Sequence, residues 1–385
     1  MIRYNLLQKT KVYAKRGAVG QLREILAEAG YRKPFLVFEK FLDDIGMIDP
    51  IREQLNIHKM MEAVEFSEVK PDPPSEIMDR GGQLCRESAC DCVIAIGGGS
   101  SIDTAKGINI LRLNGGSILD YAAGKEMCEC PGLIAVPTTA GTGSELSEGL
   151  IVTDSANSIK VPVLADKAMS EYAVIDPALT DSMPEGITRA TGLDVFSHAF
   201  EAYTSLFSSM GSDLICEKIM ETVITWLPRA VKDGANREAR DRMAVSASLG
   251  GWMLVNANSQ VGHSIAHVLG AKYHLVHGEA CAYGLPEVMK LTAHASPEKV
   301  AYTGRLLGAK ITQEDTPELI GVKTAEAYQR FIYEELKLKP LSDEFKKSVD
   351  TELCAAEIAD EIFAGLAPVK ITKETAGKML AGILQ

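Results

Sequence analysis

Two short stretches with the spacing of a metal site contain most of the histidines. Asp194 and His198 stand four residues apart in a segment with helical spacing of apolar residues, so both side chains project from one helix face. His263 and His267 repeat the same four-residue step further along the chain. Either pair alone suits a structural hydrogen bond, but the two together favour a shared cation.

A third group of ligands is predicted in the loop that follows His267. Gly270 is expected to end that helix, and His274 and His277 would lie in the loop after it. One carboxylate with three imidazoles suits Fe²⁺, Zn²⁺, Mn²⁺, Co²⁺ or Ni²⁺ rather than Cu⁺, and the residues do not choose among them. His58 and His294 lack such neighbours and are interpreted as solvated or helix-end residues.

Two loops rich in glycine and hydroxyl groups predict a nucleotide site. The run IGGGSSIDTAK, residues 96–106, follows a predicted strand and opens a predicted helix, which Ser100 or Ser101 could cap. Such a helix start offers free N–H groups to a phosphate, although the glycines could equally serve a tight turn. The run PTTAGTGSE, residues 137–145, also follows a strand. Two loops of this kind at adjacent strand ends indicate one extended ligand.

The acidic residue after the first predicted strand bears on which dinucleotide would bind. Glu39 could accept the hydroxyls of an adenosine ribose and would repel a 2′-phosphate, which favours NAD over NADP. A solvated loop residue is the plain alternative. The G-x-G-x-x-G order is absent, and the acidic residue precedes the glycines, so the arrangement differs from the usual Rossmann order.

The elements around these residues predict two different halves. Apolar runs at Pro34–Phe38, Asp91–Ile96 and Gly132–Val136 alternate with helical spacing at Ala18–Ala29 and Ser75–Glu87. This alternation is typical of a parallel sheet with helices on both faces. After Pro184, long amphipathic stretches such as 216–231 and 240–255 predict an all-α half. We expect an α/β dinucleotide-binding domain over residues 1–182 and a helical metal-binding domain over residues 183–385.

Composition narrows the partners and the location. The 385 residues carry a formal charge of −12, which disfavours nucleic acid and anionic lipid. No signal-peptide core or membrane-spanning run is seen, and we expect a cytoplasmic protein. Eight cysteines are too few for a disulfide scaffold. Two C-x-C pairs, at 90/92 and 128/130, could grip a soft metal but fit free thiols better.

These motifs, in this order, resemble the iron-containing alcohol dehydrogenases, relatives of lactaldehyde reductase, propanediol dehydrogenase and butanol dehydrogenase. The resemblance covers nearly the whole chain, from a K-x-x-A-K-R-G-A-V-G opening at Lys11 to a histidine signature that ends at Gly278. It implies a metal-dependent oxidoreductase that transfers a hydride between NAD(H) and a small primary alcohol or aldehyde. It also implies a homo-oligomer, a dimer or larger, and Fe²⁺ as the leading metal.

The resemblance assigns roles to individual residues. The implied metal ligands are Asp194, His198, His263 and His277, and His267 becomes the candidate for proton relay. The implied NAD contacts are Glu39, Gly97, Gly98, Gly99, Ser100, Asp103, Thr138, Thr139, Thr142, Val152, Lys160 and Leu179. His274 matches no ligand position.

At three places the sequence departs from the family's pattern. The chain has Asp72 where a P-N-P asparagine is common, Glu39 where aspartate is usual, and polar Asn256–Gln260 where glycines are common. Those polar side chains could line a substrate pocket or satisfy a helix turn.

Three rival functions stay open. They are an enzyme like glycerol dehydrogenase, one like 3-dehydroquinate synthase, and a non-catalytic dinucleotide sensor. The synthase would need clustered basic residues near the metal, and those present are scattered: Lys218, Arg229, Lys232 and Lys272.

Overall fold

The computed structural model describes residues 6–56, 62–157 and 159–385, which form two compact units. The first unit is Gln8–Ser182, and the second is Met183–Gln385 with Leu6 and Leu7 joined to it. His58 lies outside the described residues, so its interpretation as a solvated residue stays a prediction.

The first unit is built on a parallel sheet. Its strands are Lys11–Ala14 (β1), Pro34–Phe38 (β2), Val64–Phe66 (β3), Cys92–Gly97 (β4), Leu133–Pro137 (β5), Gly149–Asp154 (β6), Ile159–Leu164 (β7) and Tyr172–Ile175 (β8). Six of them form one sheet in the order β1-β8-β5-β4-β2-β3, with every pair parallel. The predicted strands at residues 34–38, 91–96 and 132–136 are β2, β4 and β5, the last two shifted by one residue.

Both faces of the sheet are covered, as the continuous apolar runs predict. Leu36 and Phe38 point into one core cluster, whereas Phe35 and Val37 point into another on the opposite face. The helices of this unit are Leu22–Ala29 (α1), Lys40–Asp44 (α2), Asp49–Asn56 (α3), Ser75–Glu87 (α4), Gly99–Asn114 (α5) and Ile118–Ala122 (α6). The helix predicted at residues 18–29 opens with a 3₁₀ turn at Ala18–Gln21, and further 3₁₀ turns lie at Asp166–Ala168 and Pro177–Thr180.

An antiparallel hairpin, which the sequence reading did not anticipate, stands beside the parallel sheet. β6 and β7 pair from Gly149↔Leu164 to Asp154↔Ile159. β6 alternates half-buried and buried residues, the pattern of a strand with one face on a core. The hairpin matters for the site because it holds Val152 and Lys160.

The regular elements of the second unit are all helices in the described residues, which confirms the prediction of an all-α half. Its helices are Glu185–Thr204 (α7), Met210–Lys232 (α8), Arg237–Asn256 (α9), Val261–Tyr273 (α10), His277–Thr292 (α11), Pro297–Leu306 (α12), Pro317–Arg330 (α13), Asp343–Ser348 (α14), Thr351–Asp360 (α15) and Lys373–Ile383 (α16). A π-helical turn follows α13 at Phe331–Glu335, and a 3₁₀ turn lies at Ile362–Leu366.

Two details near the histidines differ from expectation. Gly270 does not end its helix, because α10 continues to Tyr273 and ends at His274, whose φ of 57° is left-handed. His277 is the first residue of α11 rather than part of a loop. Glycine weakens a helix only modestly, so packing decides where this one stops. Among the described helices, none is long and apolar enough to cross a membrane.

Candidate active site

The glycine loop at the end of β4 leads directly into α5. Gly97 has a φ of +144°, and a Cβ atom there would lie 2.2 Å from Ser101 Oγ, so only glycine fits. Gly98 is the N-cap of α5, and no side chain caps this helix. The expectation that Ser100 or Ser101 caps it is therefore wrong, because both residues lie inside its first turn. The free N–H groups of a sixteen-residue helix start beside this loop.

The second loop lies against the first, as the neighbouring strands require. β4 and β5 pair through Gly97↔Pro137, and Thr138 N donates a hydrogen bond to the Gly97 carbonyl at 3.0 Å. A Cβ atom on Gly98 would lie 3.2 Å from Thr139, and one on Gly99 would lie 2.9 Å from Thr142. The structure thus brings both predicted loops to one edge of the sheet, where their backbone and hydroxyl groups are available to one ligand.

Asp103 and Lys106 connect these loops from inside α5. Asp103 accepts hydrogen bonds from Ser144 Oγ at 2.5 Å and from Ile151 N at 3.0 Å, one on each carboxylate oxygen. Lys106 is fully buried and donates to the carbonyls of Ser147 at 2.9 Å and Gly149 at 2.6 Å. Burial lowers the pKa of Lys106 to about 8. The two side chains therefore anchor the segment from Ser144 to Ile151, which runs from the second loop into β6, a function that the sequence did not reveal.

Glu39 lies at the carboxyl end of β2, beside Glu68 of the neighbouring segment. Burial raises the pKa of the Glu39 carboxyl. Among the described residues, its carboxylate has no hydrogen-bond or ion-pair partner, whereas Glu68 pairs with Arg80. The Glu39 carboxylate is therefore half-buried at this edge of the sheet and unpaired within the described part of the chain.

Two of the other predicted NAD contacts are buried, and a third is engaged in an ion pair. Val152 is 0% exposed and Leu179 is 9% exposed, and each belongs to a core cluster of the first unit. Lys160 Nζ lies 2.6 Å from Asp72 Oδ1. The aspartate that departs from the family's asparagine therefore pairs with one of the predicted cofactor residues.

The four predicted metal ligands converge in the second unit. Asp194 and His198 lie on one face of α7, His263 lies on α10, and His277 opens α11. The Nε2 atoms of the three imidazoles stand 3.5, 3.8 and 3.5 Å from Asp194 Oδ1, in the order of His198, His263 and His277. Donor atoms that lie about 2.1 Å from a tetrahedral ion are about 3.4 Å from one another. The spacing of these atoms from Asp194 Oδ1 therefore suits one shared divalent cation.

The orientation of His263 provides an independent test of whether a metal fits. Its Nδ1 lies 2.8 Å from Glu201 Oε1, while its buried Nε2 has no hydrogen-bond partner among the described residues. The other oxygen of Glu201 accepts Gln260 N at 2.8 Å and His263 N at 3.2 Å. A carboxylate behind a ligating imidazole is the usual support of a metal-bound histidine. The orphaned nitrogen faces Asp194, where an ion would satisfy it.

The protonation states of the ligands also suit a cation. Burial lowers the pKa of His198 to about 4 and, despite a side chain that is 43% exposed, desolvation lowers the pKa of His277. Burial opposes ionisation of Asp194, but the surrounding imidazoles outweigh it and lower its pKa. Near neutral pH, Asp194 is therefore a carboxylate, and His198 and His277 are neutral imidazoles.

Known proteins carry the same architecture. Residues 9–177 match the family described as "Iron-containing alcohol dehydrogenase", and residues 188–384 match "Fe-containing alcohol dehydrogenase family, C-terminal". This chain belongs to the iron-containing alcohol dehydrogenase family.

Relatives within the iron-containing alcohol dehydrogenases agree in sequence and structure. The NAD-dependent methanol dehydrogenase of Bacillus methanolicus is 34% identical over 82% of this chain and 81% of its own length. The 1,3-propanediol dehydrogenase of Klebsiella pneumoniae is 32% identical over 82% of this chain and 79% of its own. A crystal structure of 1,3-propanediol oxidoreductase superposes with a TM-score of 0.91 at 28% identity, with all of both chains covered.

In this member of the iron-containing alcohol dehydrogenases, the histidine proposed for proton relay also has a carboxylate partner. His267 Nδ1 lies 2.9 Å from Glu361 Oε1, and the other oxygen of Glu361 accepts Ser264 Oγ at 2.6 Å and Phe363 N at 2.8 Å. Burial opposes ionisation of Glu361, but the bond from His267 outweighs it and lowers its pKa. The His267 ring stacks 5.5 Å from that of His277. His274 is exposed and does not join the cluster.

Sequence reasoning missed three residues of this site. Glu201 was detectable, because it lies seven residues after Asp194 on the same face of α7. Cys281 was detectable by its four-residue distance from His277. Glu361 gave no local signal, since it reaches His267 from 94 residues away.

The polar stretch before α10 has a structural purpose. Asn256 bonds to Leu7 and to the Trp252 carbonyl, the latter at 2.8 Å. Gln260 Nε2 donates to Thr204 Oγ1 at 2.7 Å. Of the two interpretations of Asn256 and Gln260, these bonds favour the one in which the side chains satisfy helix ends.

Replacing Glu201 with glutamine is expected to change the pH dependence of metal binding. Burial lowers the pKa of His263, but the carboxylates of Glu201, Asp194 and Glu361 outweigh it and raise that pKa. As pH falls from neutrality, His263 is therefore the first ligand to be protonated, and log Kd should rise with a slope of about one proton. In the variant, this rise should begin at lower pH, and affinity at pH 7.5 should fall about 10- to 100-fold.

The measurement is a zinc titration with a competing chelator at several pH values. Glu217→Gln is the matched control, because the Glu217 carboxylate accepts a hydrogen bond from Tyr203 and not from a histidine of the cluster. A wild-type slope near three, or a Glu201 variant with an unchanged profile, would contradict this account.

Proposed function

We propose that the protein is an NAD-dependent alcohol dehydrogenase that interconverts small primary alcohols and aldehydes with a bound divalent metal. The observation that carries the proposal is that the Nε2 atoms of His198, His263 and His277 converge on one carboxylate oxygen of Asp194. Membership of the iron-containing family favours Fe²⁺, and the same donors also suit Zn²⁺, Mn²⁺, Co²⁺ or Ni²⁺. The methanol and 1,3-propanediol enzymes among the relatives support a small alcohol as substrate.

We assign the NAD site to the edge of the parallel sheet. Gly97, Gly98, Gly99 and Ser100 would present backbone N–H groups and the α5 terminus to the pyrophosphate. Thr138, Thr139 and Thr142 would add hydroxyl groups from the adjacent loop. Because one oxygen of Asp103 accepts from Ser144 of the second loop and the other from Ile151 of β6, we assign this residue to positioning that loop and strand rather than to direct contact with phosphate.

The nicotinamide side of the assignment involves the hairpin and the turn after β8. Val152 and Leu179 are buried, so we propose that they shape the site from behind or contribute backbone groups. Lys160 would reach the cofactor only by leaving or sharing Asp72. Glu39 would bind the adenosine ribose.

The residues assigned to metal binding and proton transfer belong to the second unit. When bound, the divalent ion supplies Lewis-acid polarisation of the substrate oxygen. Asp194 and the three imidazoles would hold that ion, and Glu201 orients the ring of His263 so that its Nε2 faces Asp194. His267 would accept or return the proton of the alcohol through Nε2, because Glu361 occupies its Nδ1. Glu361 would also stabilise the imidazolium that this transfer creates.

The deciding experiment measures aldehyde-dependent NADH oxidation before and after metal removal. We expect chelation to abolish turnover and readdition of Fe²⁺, Zn²⁺, Mn²⁺ or Ni²⁺ to restore it, while NADH fluorescence titration still shows dinucleotide binding. A panel of primary alcohols, diols, glycerol and aldehydes separates the proposal from an enzyme like glycerol dehydrogenase. Dinucleotide binding without turnover under every metal would instead support a sensor.

Replacing Glu39 with serine is expected to relax the choice of dinucleotide. The unpaired carboxylate repels a 2′-phosphate, so the wild type should prefer NAD, and the variant should gain at least about tenfold in kcat/KM for NADP relative to NAD. Glu68→Gln is the matched control, since this neighbouring carboxylate is already paired with Arg80. A wild type that favours NADP tenfold would overturn the assignment.

We also propose a cytoplasmic location and a homo-oligomer. All eight cysteines are free thiols, which suits a reducing compartment. Leu206, Met210 and Leu214 are 58%, 83% and 65% exposed near the start of α8, and such neighbouring apolar side chains are common at subunit contacts. Light scattering coupled to size-exclusion chromatography tests the oligomer, and an alternative result would be a 41.5 kDa monomer.

A further inference from the structure

Cys281 places a sulfur atom among the metal ligands. Its Sγ lies 3.8 Å from Asp194 Oδ1 and 3.7 Å from His277 Nε2, and the side chain is fully buried. The donor atoms of Asp194, His263, His277 and Cys281 all lie within 4.8 Å of one another. The sulfur therefore stands as far from Asp194 Oδ1 as His263 Nε2 does, at 3.8 Å.

The backbone of α11 fixes this position. His277 and Cys281 are one helical turn apart, so their side chains share a face. Gly278 lies against the Ala190 carbonyl of α7 so closely that a Cβ atom would be 1.9 Å from that oxygen. This approach brings the first turn of α11 against Asp194.

The second observation is an unpaired ring nitrogen in the same cluster. The Nε2 atom of His263 is buried, unpaired among the described residues, and aimed at the same carboxylate oxygen that Cys281 approaches. A thiol at 3.8 Å makes only a weak hydrogen bond to Asp194, which does little for that nitrogen. An ion at the centre would satisfy the nitrogen, the carboxylate and the sulfur together.

We propose that Cys281 is a further donor to the divalent ion and makes the site selective for ions that accept sulfur, such as Fe²⁺, Zn²⁺ and Co²⁺, over Mn²⁺ and Mg²⁺. This inference rests on the proposed function, since it requires that the cluster binds metal. The thiol S–H bond breaks, its proton passes to solvent, and the sulfur electron pair forms the bond to the ion. No oxidant or reductant takes part. Thiolate ligands favour softer ions, whereas carboxylate and water favour Mn²⁺ and Mg²⁺.

The test loads the full-length protein with Co²⁺ and records its absorption spectrum. Sulfur coordination gives a near-ultraviolet charge-transfer band that nitrogen and oxygen ligands do not give, and we expect this band in the wild type. It should disappear in Cys281→Ser and Cys281→Ala while the visible Co²⁺ bands remain. Cys354→Ser is the matched control, because this buried thiol of α15 contacts Tyr273 and not the cluster.

A metal competition provides the second measurement. With equal Zn²⁺ and Mn²⁺, elemental analysis should show the Zn:Mn ratio falling at least about tenfold in both Cys281 variants relative to wild type and Cys354→Ser. Thermal melts of the metal-free proteins show whether a variant has lost its fold, and in that case the wild-type spectrum alone decides.

The outcomes separate this inference from the proposed function. A wild type that binds one Co²⁺ without a charge-transfer band, or a band that persists in Cys281→Ser, would overturn the sulfur ligand and leave the metal-dependent dehydrogenase intact. A wild type that binds none of these ions would overturn both.

Discussion

Replacing Asp194 with asparagine is expected to remove the metal and reduce kcat by roughly a thousandfold, or about 4 kcal/mol of transition-state stabilisation. Asp194 Oδ1 is the atom toward which the Nε2 atoms of all three imidazoles point, at 3.5 to 3.8 Å. An amide has nearly the shape of the carboxylate but no charge, and its nitrogen cannot donate to a cation. The variant therefore tests the charge at the centre of the cluster without emptying its space.

The measurements for Asp194→Asn are metal content by elemental analysis, steady-state turnover and the thermal midpoint of the metal-free protein. NADH affinity should stay within about twofold of wild type, because the nucleotide loops belong to the other unit. Asp213→Asn is the control on the next helix, since Asp213 pairs with Lys299 rather than with a histidine. A variant that kept full metal content and more than a tenth of the wild-type activity would refute the role assigned to Asp194.

Replacing Gly278 with alanine is expected to destabilise the second unit by about 3 kcal/mol or more and to weaken metal binding sharply. The added Cβ would lie 1.9 Å from the Ala190 carbonyl oxygen and 3.2 Å from the Asp194 Cβ. A backbone oxygen cannot swing aside as a flexible side chain can, so α11 must move away from α7. Because His277 and Cys281 lie in the first five residues of α11, they would move away from Asp194 with it.

Gly284→Ala in the same helix is the matched control for Gly278→Ala. Its added Cβ would meet Ile265 at 3.4 Å, an ordinary contact, and alanine favours a helix over glycine by about 1 kcal/mol. Urea unfolding and zinc affinity should therefore change little or improve in Gly284→Ala and worsen in Gly278→Ala. Equal behaviour of the two variants would show that the close contact at Gly278 does not position the site.

Local patterns were enough to predict the elements and the ligand types. The apolar run of β2 and the helical spacing of α4 each predict their element with the bounds that the structure has. The four-residue steps at Asp194/His198 and His263/His267 identify the helices that carry the metal ligands, because a helix face is periodic in sequence. The glycines before α5 likewise identify a strand-to-helix turn open to phosphate.

Contacts over long sequence distances were decided by tertiary packing. Nothing near Glu361 marks it as the partner of His267, and nothing near Asp103 reveals that its carboxylate is engaged by Ser144 and Ile151. The sequence predicted a helix end at Gly270, whereas α10 continues to its C-cap at His274. Packing therefore outweighs a difference in helix propensity of about 1 kcal/mol. The sequence by itself thus determined which residue types face which way along each helix and strand. Only the tertiary structure decided that His198, His263, His277 and Cys281 all approach Asp194, since three helices must come close enough, at Gly278 above all, for their side chains to converge.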